Sequence, residues 1–228
     1  MKDQKQTQSI GSSAPRVAVA AISFSKSVLL REELEQAFPN SHFNEKGHRF
    51  SEIELIEFLK DADAAVIGIE SITEQVLSKT PHLKIVSKYG VGLDRIDQKS
   101  LKRRNIVLGW TGGVNRRSVA ELTLCFMIGL YRNVFTSGYS LKQSKWEKNG
   151  GAQLSGKTVG IIGCGHVGSD VIKLLEPLEC NILVCDILDK SKFCEEHNAT
   201  KTSLENLPIK SDVISLHVPL TPLTSKMV

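Results

Sequence analysis

No stretch of this sequence is long and apolar enough to cross a bilayer. The longest such run, Leu122 to Tyr131, falls well short of the ~20 residues a span requires. The opening segment, Met1 to Pro15, is polar and lacks the apolar core of a secretory signal, so a disordered tail on a cytoplasmic protein is expected. Cysteines are few and unpatterned: Cys125, Cys164, Cys180, Cys185 and Cys194 show no metal-ligand spacing. An odd number of them without a secretion signal fits a reducing compartment. Dense blocks of one charge are missing as well. The formal charge of +4 is the small excess of 29 basic over 25 acidic residues spread along the chain, which does not indicate a nucleic-acid partner. Internal repeats and low-complexity tracts do not stand out. The remainder is the composition of a globular protein, 41% apolar and 24% charged, in 228 residues that suffice for one large domain or two smaller ones.

Taken in order, the chain alternates short apolar runs with helical patterns. Strands are predicted at Val17–Ala21, Ala64–Ile69, Leu83–Ser87 and Ile106–Leu108. Between them come helices near Ser27–Phe38, after a capping box at Ser51 and Glu54, near Thr73–Lys79 and near Asp97–Arg103. Such alternation predicts a parallel sheet with helices on both faces. Trp110-Thr111-Gly112-Gly113 breaks the rhythm and is read as the domain boundary. One long helix is expected from about Arg116 to Tyr139, with a second Ser-x-x-Glu start at Ser118 and Glu121. Its first half is apolar almost all round, so burial between domains or subunits is expected. A helix at Lys190–His197 and a strand at Val213–Leu216 follow later.

The stretch from Thr158 to Asp186 carries the chemistry. An apolar strand, Thr158 to Ile162, runs into Gly163-Cys164-Gly165-His166-Val167-Gly168 and then an apolar helical pattern; the next strand, Asn181 to Cys185, ends on Asp186. Gly163 allows a tight turn, Gly165 lets the backbone approach a pyrophosphate, and Gly168 lets the helix pack on the strand. The amides of His166 and Val167 open that helix and face the phosphates with the positive end of the helix dipole behind them. Asp186 lies 18 residues beyond Gly168, close to the spacing of the acid that takes a ribose 2′-hydroxyl. A carboxylate there repels a 2′-phosphate and favours NAD, although Lys190 and Lys192 stand near enough to soften the preference.

Four segments in order then resemble the D-isomer-specific 2-hydroxyacid dehydrogenases, the group of phosphoglycerate, glycerate and D-lactate dehydrogenases. They are Lys88 to Asp97, Asn115 through Ser118-Val119-Ala120-Glu121, the glycine-rich turn, and His217-Val218-Pro219-Leu220-Thr221. The resemblance runs from about Arg16 to Val228. It implies an α/β chain with a flavodoxin-like parallel-sheet substrate domain over residues 16–112, and a Rossmann-type NAD-binding domain over 113–228 that is incomplete at its C-terminal end. It implies a substrate carboxylate held by amides near Val91 and Gly92, where Gly90 and Gly92 leave the backbone open; a plain strand-to-helix turn is the alternative. Lys88 stands where the family often has a basic residue, and is equally readable as a solvated strand end. His217, Val218, Pro219 and Thr224 are implied to wall the nicotinamide side, against the alternative of a capped strand end. No catalytic residue is assigned within the chain, because the family's arginine, carboxylate and histidine fall beyond Val228. The implied function is NAD-dependent oxidation or reduction at the CH–OH of a small D-2-hydroxy acid, by a homodimer with no nucleic-acid or membrane partner. The chain alone is expected to be inactive. A non-catalytic dinucleotide-binding or interaction module, or an interrupted reading frame, are the alternatives.

Overall fold

The computed structural model describes residues 14–148 and 150–227; most of the expected N-terminal tail therefore lies outside the described residues. The chain divides into two compact units between Thr111 and Gly112.

The first unit builds a five-stranded sheet. Its elements are β1 (Val17–Val19), α1 (Ile22–Ser25), α2 (Val28–Ala37), β2 (Ser41–Phe43), α3 (Glu52–Leu59), β3 (Ala64–Ile67), α4 (Glu74–Lys79), β4 (Ile85–Lys88), α5 (Gln98–Arg103) and β5 (Val107–Gly109). The strand order is β2-β1-β3-β4-β5 and each neighbouring pair is parallel, as in Val19 opposite Phe43 and Ile67 opposite Lys88. A parallel sheet must bury both faces, and Ala18, Ala65, Ile67 and Val86 are fully enclosed beneath Leu55, Leu59, Leu77 and Leu101 from the helices. Local chemistry starts each helix. Ser51 accepts from the Glu54 amide while Glu54 reaches back to the Ser51 amide, and Thr73 and Asp97 cap α4 and α5. The order reverses between β1 and β3, which opens a crevice outside their carboxyl ends.

The second unit carries α6 (Arg116–Tyr131), α7 (Val134–Lys142), β6 (Thr158–Ile162), α8 (His166–Leu175), β7 (Asn181–Cys185), α9 (Ser191–Glu196), β8 (Ala199–Lys201), α10 (Asn206–Lys210) and β9 (Val213–Leu216). Its sheet is parallel in the order β8-β7-β6-β9, and among the described residues β9 pairs only with β6. Val159, Ile161, Val171, Ile172 and Leu175 form the core between sheet and helix, and α6 closes it with Ala120 and Met127.

Two expectations are corrected. The single helix from Arg116 to Tyr139 is two helices, because Asn133 adopts the left-handed conformation at φ 54° and breaks the ladder. Ser118 caps nothing; α6 starts at Arg116 after Asn115, so Ser118 lies inside the first turn. Within one chain the apolar first half of α6 is covered on one side only. Only Ala120, Met127 and Gly129 of this helix are buried, while Leu122, Phe126 and Leu130 are about half or more exposed, since just one face meets α8.

Candidate functional site

In the second unit the turn from β6 into α8 is shaped by three glycines with three different physical reasons. Gly163 has φ +91°, and a Cβ there would stand 2.7 Å from Val218 Cγ1 and 2.9 Å from the His217 carbonyl. Gly168 lies so close under the turn that a Cβ would meet the Gly163 carbonyl oxygen at 2.0 Å. Gly165 is the opposite case: exposed, with nothing within 4 Å of where a Cβ would be. The amides of His166 and Val167 beside it find no acceptor among the described residues. Free donors, a bare α-carbon and the positive end of a ten-residue helix together make an anion-binding arrangement.

Asp186 closes β7 next to this turn. One carboxylate oxygen accepts from the Cys164 amide at 2.6 Å and the other from the Leu188 amide at 2.8 Å. It therefore holds the glycine turn. Cys164 is buried beneath, and burial pushes its thiol up to about 11. On the far side of the turn, His217 donates its amide to the Ile162 carbonyl, and its ring lies 2.9 Å from the Ser215 hydroxyl. Burial lowers its pKa below the usual imidazole value, which favours the neutral ring. Val218 packs over Gly163, whereas Pro219 is exposed. Thr224 is folded onto its own loop, donating to the Pro219 carbonyl at 2.6 Å and accepting from the Thr221 amide at 2.8 Å. The structure thus gathers Gly163, Gly165, His166, Val167, Gly168, Asp186, His217 and Val218 around one turn, with Pro219 and Thr224 further out along the loop.

In the first unit, Gly90-Val91-Gly92 follows β4. Gly90 has φ +132°, Gly92 is exposed, and the Val91 carbonyl accepts from the Trp110 indole at 3.0 Å. The Val91 and Gly92 amides have no acceptor among the described residues. The Lys88 ammonium donates to the Gly68 carbonyl, so the main chain engages it. From the other side of the same residue, the Glu70 carboxylate accepts from the Gly68 amide at 2.6 Å. Glu70 is 1% exposed, and its second oxygen has no partner among the described residues. Sequence reading missed Glu70, because a glutamate in a loop carries no sign of burial. It also missed the pair in which Arg117 donates to Asp170 at 3.0 Å, two residues far apart in sequence.

A parallel sheet with a glycine turn at the N-terminus of the helix after its first strand, and an acid closing the second strand, defines a dinucleotide-binding unit of the Rossmann type. Residues 124–228 match the family model "D-isomer specific 2-hydroxyacid dehydrogenase, NAD binding domain". The chain is 34% identical over 179 residues to D-3-phosphoglycerate dehydrogenase of Methanocaldococcus jannaschii, covering 77% of this chain and 34% of that protein. It is 34% identical over 178 residues to hydroxypyruvate reductase of Thermotoga maritima, covering 77% and 57%. Among solved structures, NAD+-bound 3-phosphoglycerate dehydrogenase of Entamoeba histolytica matches with a TM-score of 0.75 at 28% identity, over 93% of this chain and 65% of that one. D-lactate dehydrogenase of Aquifex aeolicus, complexed with NAD and lactic acid, matches with a TM-score of 0.75 at 26% identity, over 92% and 62%. Residues 124–228 therefore match the NAD-binding domain of the D-isomer-specific 2-hydroxyacid dehydrogenases, and the chain is similar to members of that family over 77% of its length. It spans about a third to somewhat over half the length of those two curated relatives.

Among the described residues no helix is long and apolar enough to cross a membrane, and no group of histidine, cysteine and carboxylate side chains could hold a metal ion.

Proposed function

We propose that this chain supplies the NAD site and the substrate-carboxylate cradle of an oxidoreductase acting on the CH–OH group of a small D-2-hydroxy acid. The observation that carries the reading is the open Gly165 flanked by the unpaired His166 and Val167 amides at the start of α8. In it the pyrophosphate lies on those amides, Asp186 takes the adenosine ribose hydroxyls, and His217, Val218, Pro219 and Thr224 line the nicotinamide side. The free Val91 and Gly92 amides take the substrate carboxylate, with Lys88 and Glu70 holding the adjoining Gly68 peptide. The exposed apolar side chains of α6 and α7, among them Leu122, Phe126, Leu130, Phe135 and Tyr139, support a homodimer.

Bound NAD supplies the hydride acceptor or donor. The proton is another matter. A catalytic base is commonly oriented by a third group, and among the described residues neither histidine at the glycine turn has a carboxylate partner: His217 bonds Ser215, and His166 packs on Gly113. The 228 residues are therefore expected to bind NADH without turning over. The test is NADH and NADPH titration by fluorescence, with NADH oxidation assayed against hydroxypyruvate, glyoxylate and pyruvate. Binding of NADH in preference to NADPH, with no oxidation, is the expected result. No binding overturns the cofactor site, and turnover near ~1 s⁻¹, the low end for enzymes, overturns the claim that a proton-transfer group is lacking.

A further inference from the structure

We propose that Gly113 and Arg117 are positioning residues of the NAD site, acting through the first two turns of α8; the proposal rests on the cofactor reading above. Gly113 has φ +70°, and a Cβ on it would stand 2.5 Å from His166 Cγ and 2.7 Å from His166 Nδ1. The imidazole is therefore seated directly against the bare Gly113 backbone. His166 is the first residue of α8, and its own amide is one of the two donors left free for the pyrophosphate. The seat of its ring fixes the rotation of the residue whose amide does the binding.

Four residues further along the chain, Arg117 Nη2 donates to Asp170 Oδ1 at 3.0 Å. The Asp170 side chain is 8% exposed, and among the described residues Arg117 is its only partner, since the second carboxylate oxygen meets none. Asp170 sits about 6 Å along the helix axis from His166. An uncompensated carboxylate there offsets the positive potential of the helix N-terminus and repels an arriving pyrophosphate. Arg117 cancels that charge. The short segment from Gly113 to Arg117 thus sets the helix terminus twice, once by leaving room for a ring and once by neutralising an acid.

Both halves make a rescue prediction that mere loss of stability does not. NADH affinity is measured by fluorescence titration on the 228-residue chain, with thermal midpoints recorded in parallel. Gly113→Ala is expected to weaken NADH about tenfold, the size of one charge-assisted hydrogen bond misplaced. His166→Ala, which keeps the amide but removes the ring seated on Gly113, is expected to weaken NADH by a smaller factor than Gly113→Ala, about threefold, and the double variant to match His166→Ala. Arg117→Met is expected to weaken NADH about fivefold, with affinity restored when Asp170→Asn is added. Wild-type affinity in Gly113→Ala overturns the proposal, and so does a double variant as weak as Gly113→Ala, because strain at positive φ then explains the loss. Failure of Asp170→Asn to rescue Arg117→Met overturns the charge half. If Gly113→Ala does not fold, the Arg117 pair decides alone. A wild-type chain that binds no NADH overturns the cofactor reading and the proposal with it, a result distinct from wild-type binding that the variants leave unchanged.

Discussion

At the scale of single residues, two side chains at the glycine turn make opposite kinds of prediction. In the proposed site Asp186 offers a charge to the ribose, so Asp186→Ala should weaken NADH by about tenfold or more, the worth of a hydrogen bond to a charged group, and NADPH much less. Parallel titration with both cofactors checks this, and equal losses would reduce Asp186 to its ties with the Cys164 and Leu188 amides. His217 offers an absence of charge. Burial lowers its pKa in the folded chain, so the unfolded chain takes up the proton at higher pH. Its contribution to stability is therefore complete above the ordinary imidazole value of about 6.5 and is lost as pH falls below it. Urea unfolding between pH 7 and pH 5 should show that loss, and His217→Asn should flatten it. A separate loss below about 4.5 should survive the substitution, because Glu54, bonded to Ser51, and Glu74, bonded to Arg104, are both held down to about 2.

Elements were legible in proportion to how local their causes are. The capping box at Ser51 is written in four consecutive residues and forms as read; Ser51→Ala should cost ~1 kcal/mol in chemical denaturation, the usual worth of such a cap. The glycine turn was equally legible in its spacing, although only Gly168, against the Gly163 carbonyl, answers a steric demand a few residues away; Gly163 faces Val218, and Gly165 faces nothing within 4 Å. Gly92→Val, which adds bulk beside Asp94 in the proposed carboxylate cradle, should lower affinity for oxalate or hydroxypyruvate while leaving NADH binding intact, as calorimetry would show. What sequence reading missed has non-local or marginal causes. β2 has one apolar residue among Ser41, His42 and Phe43, so no alternation marks it. The break at Asn133 turns on one backbone conformation in the middle of a pattern that otherwise continues as a helix. The Arg117–Asp170 tie joins residues 53 positions apart, and the seat of His166 on Gly113 bridges a gap of the same order; no periodicity records such contacts.

At the scale of the whole molecule, the half-exposed Leu122, Phe126 and Leu130 of α6, joined by Phe135 and Tyr139 of α7, lead to a prediction about assembly. Sedimentation analysis should give a dimer, and Phe126→Glu combined with Leu130→Glu should give a monomer that still binds NADH; a wild-type monomer at micromolar concentration would reject the dimer. The two units also differ in a way that has its own experimental use. All five cysteines belong to the second unit and none to the first. Cys125 is exposed, whereas Cys164 and Cys194 are buried, and Cys164 is held far from the reactive thiolate by a pKa of about 11. Alkylation should then run on two clocks, an immediate one at Cys125 and a slow one at Cys164 that ticks only when the glycine turn opens. Slowing of the second clock by NADH would time the opening of the cofactor unit by itself, silent to anything the first unit does.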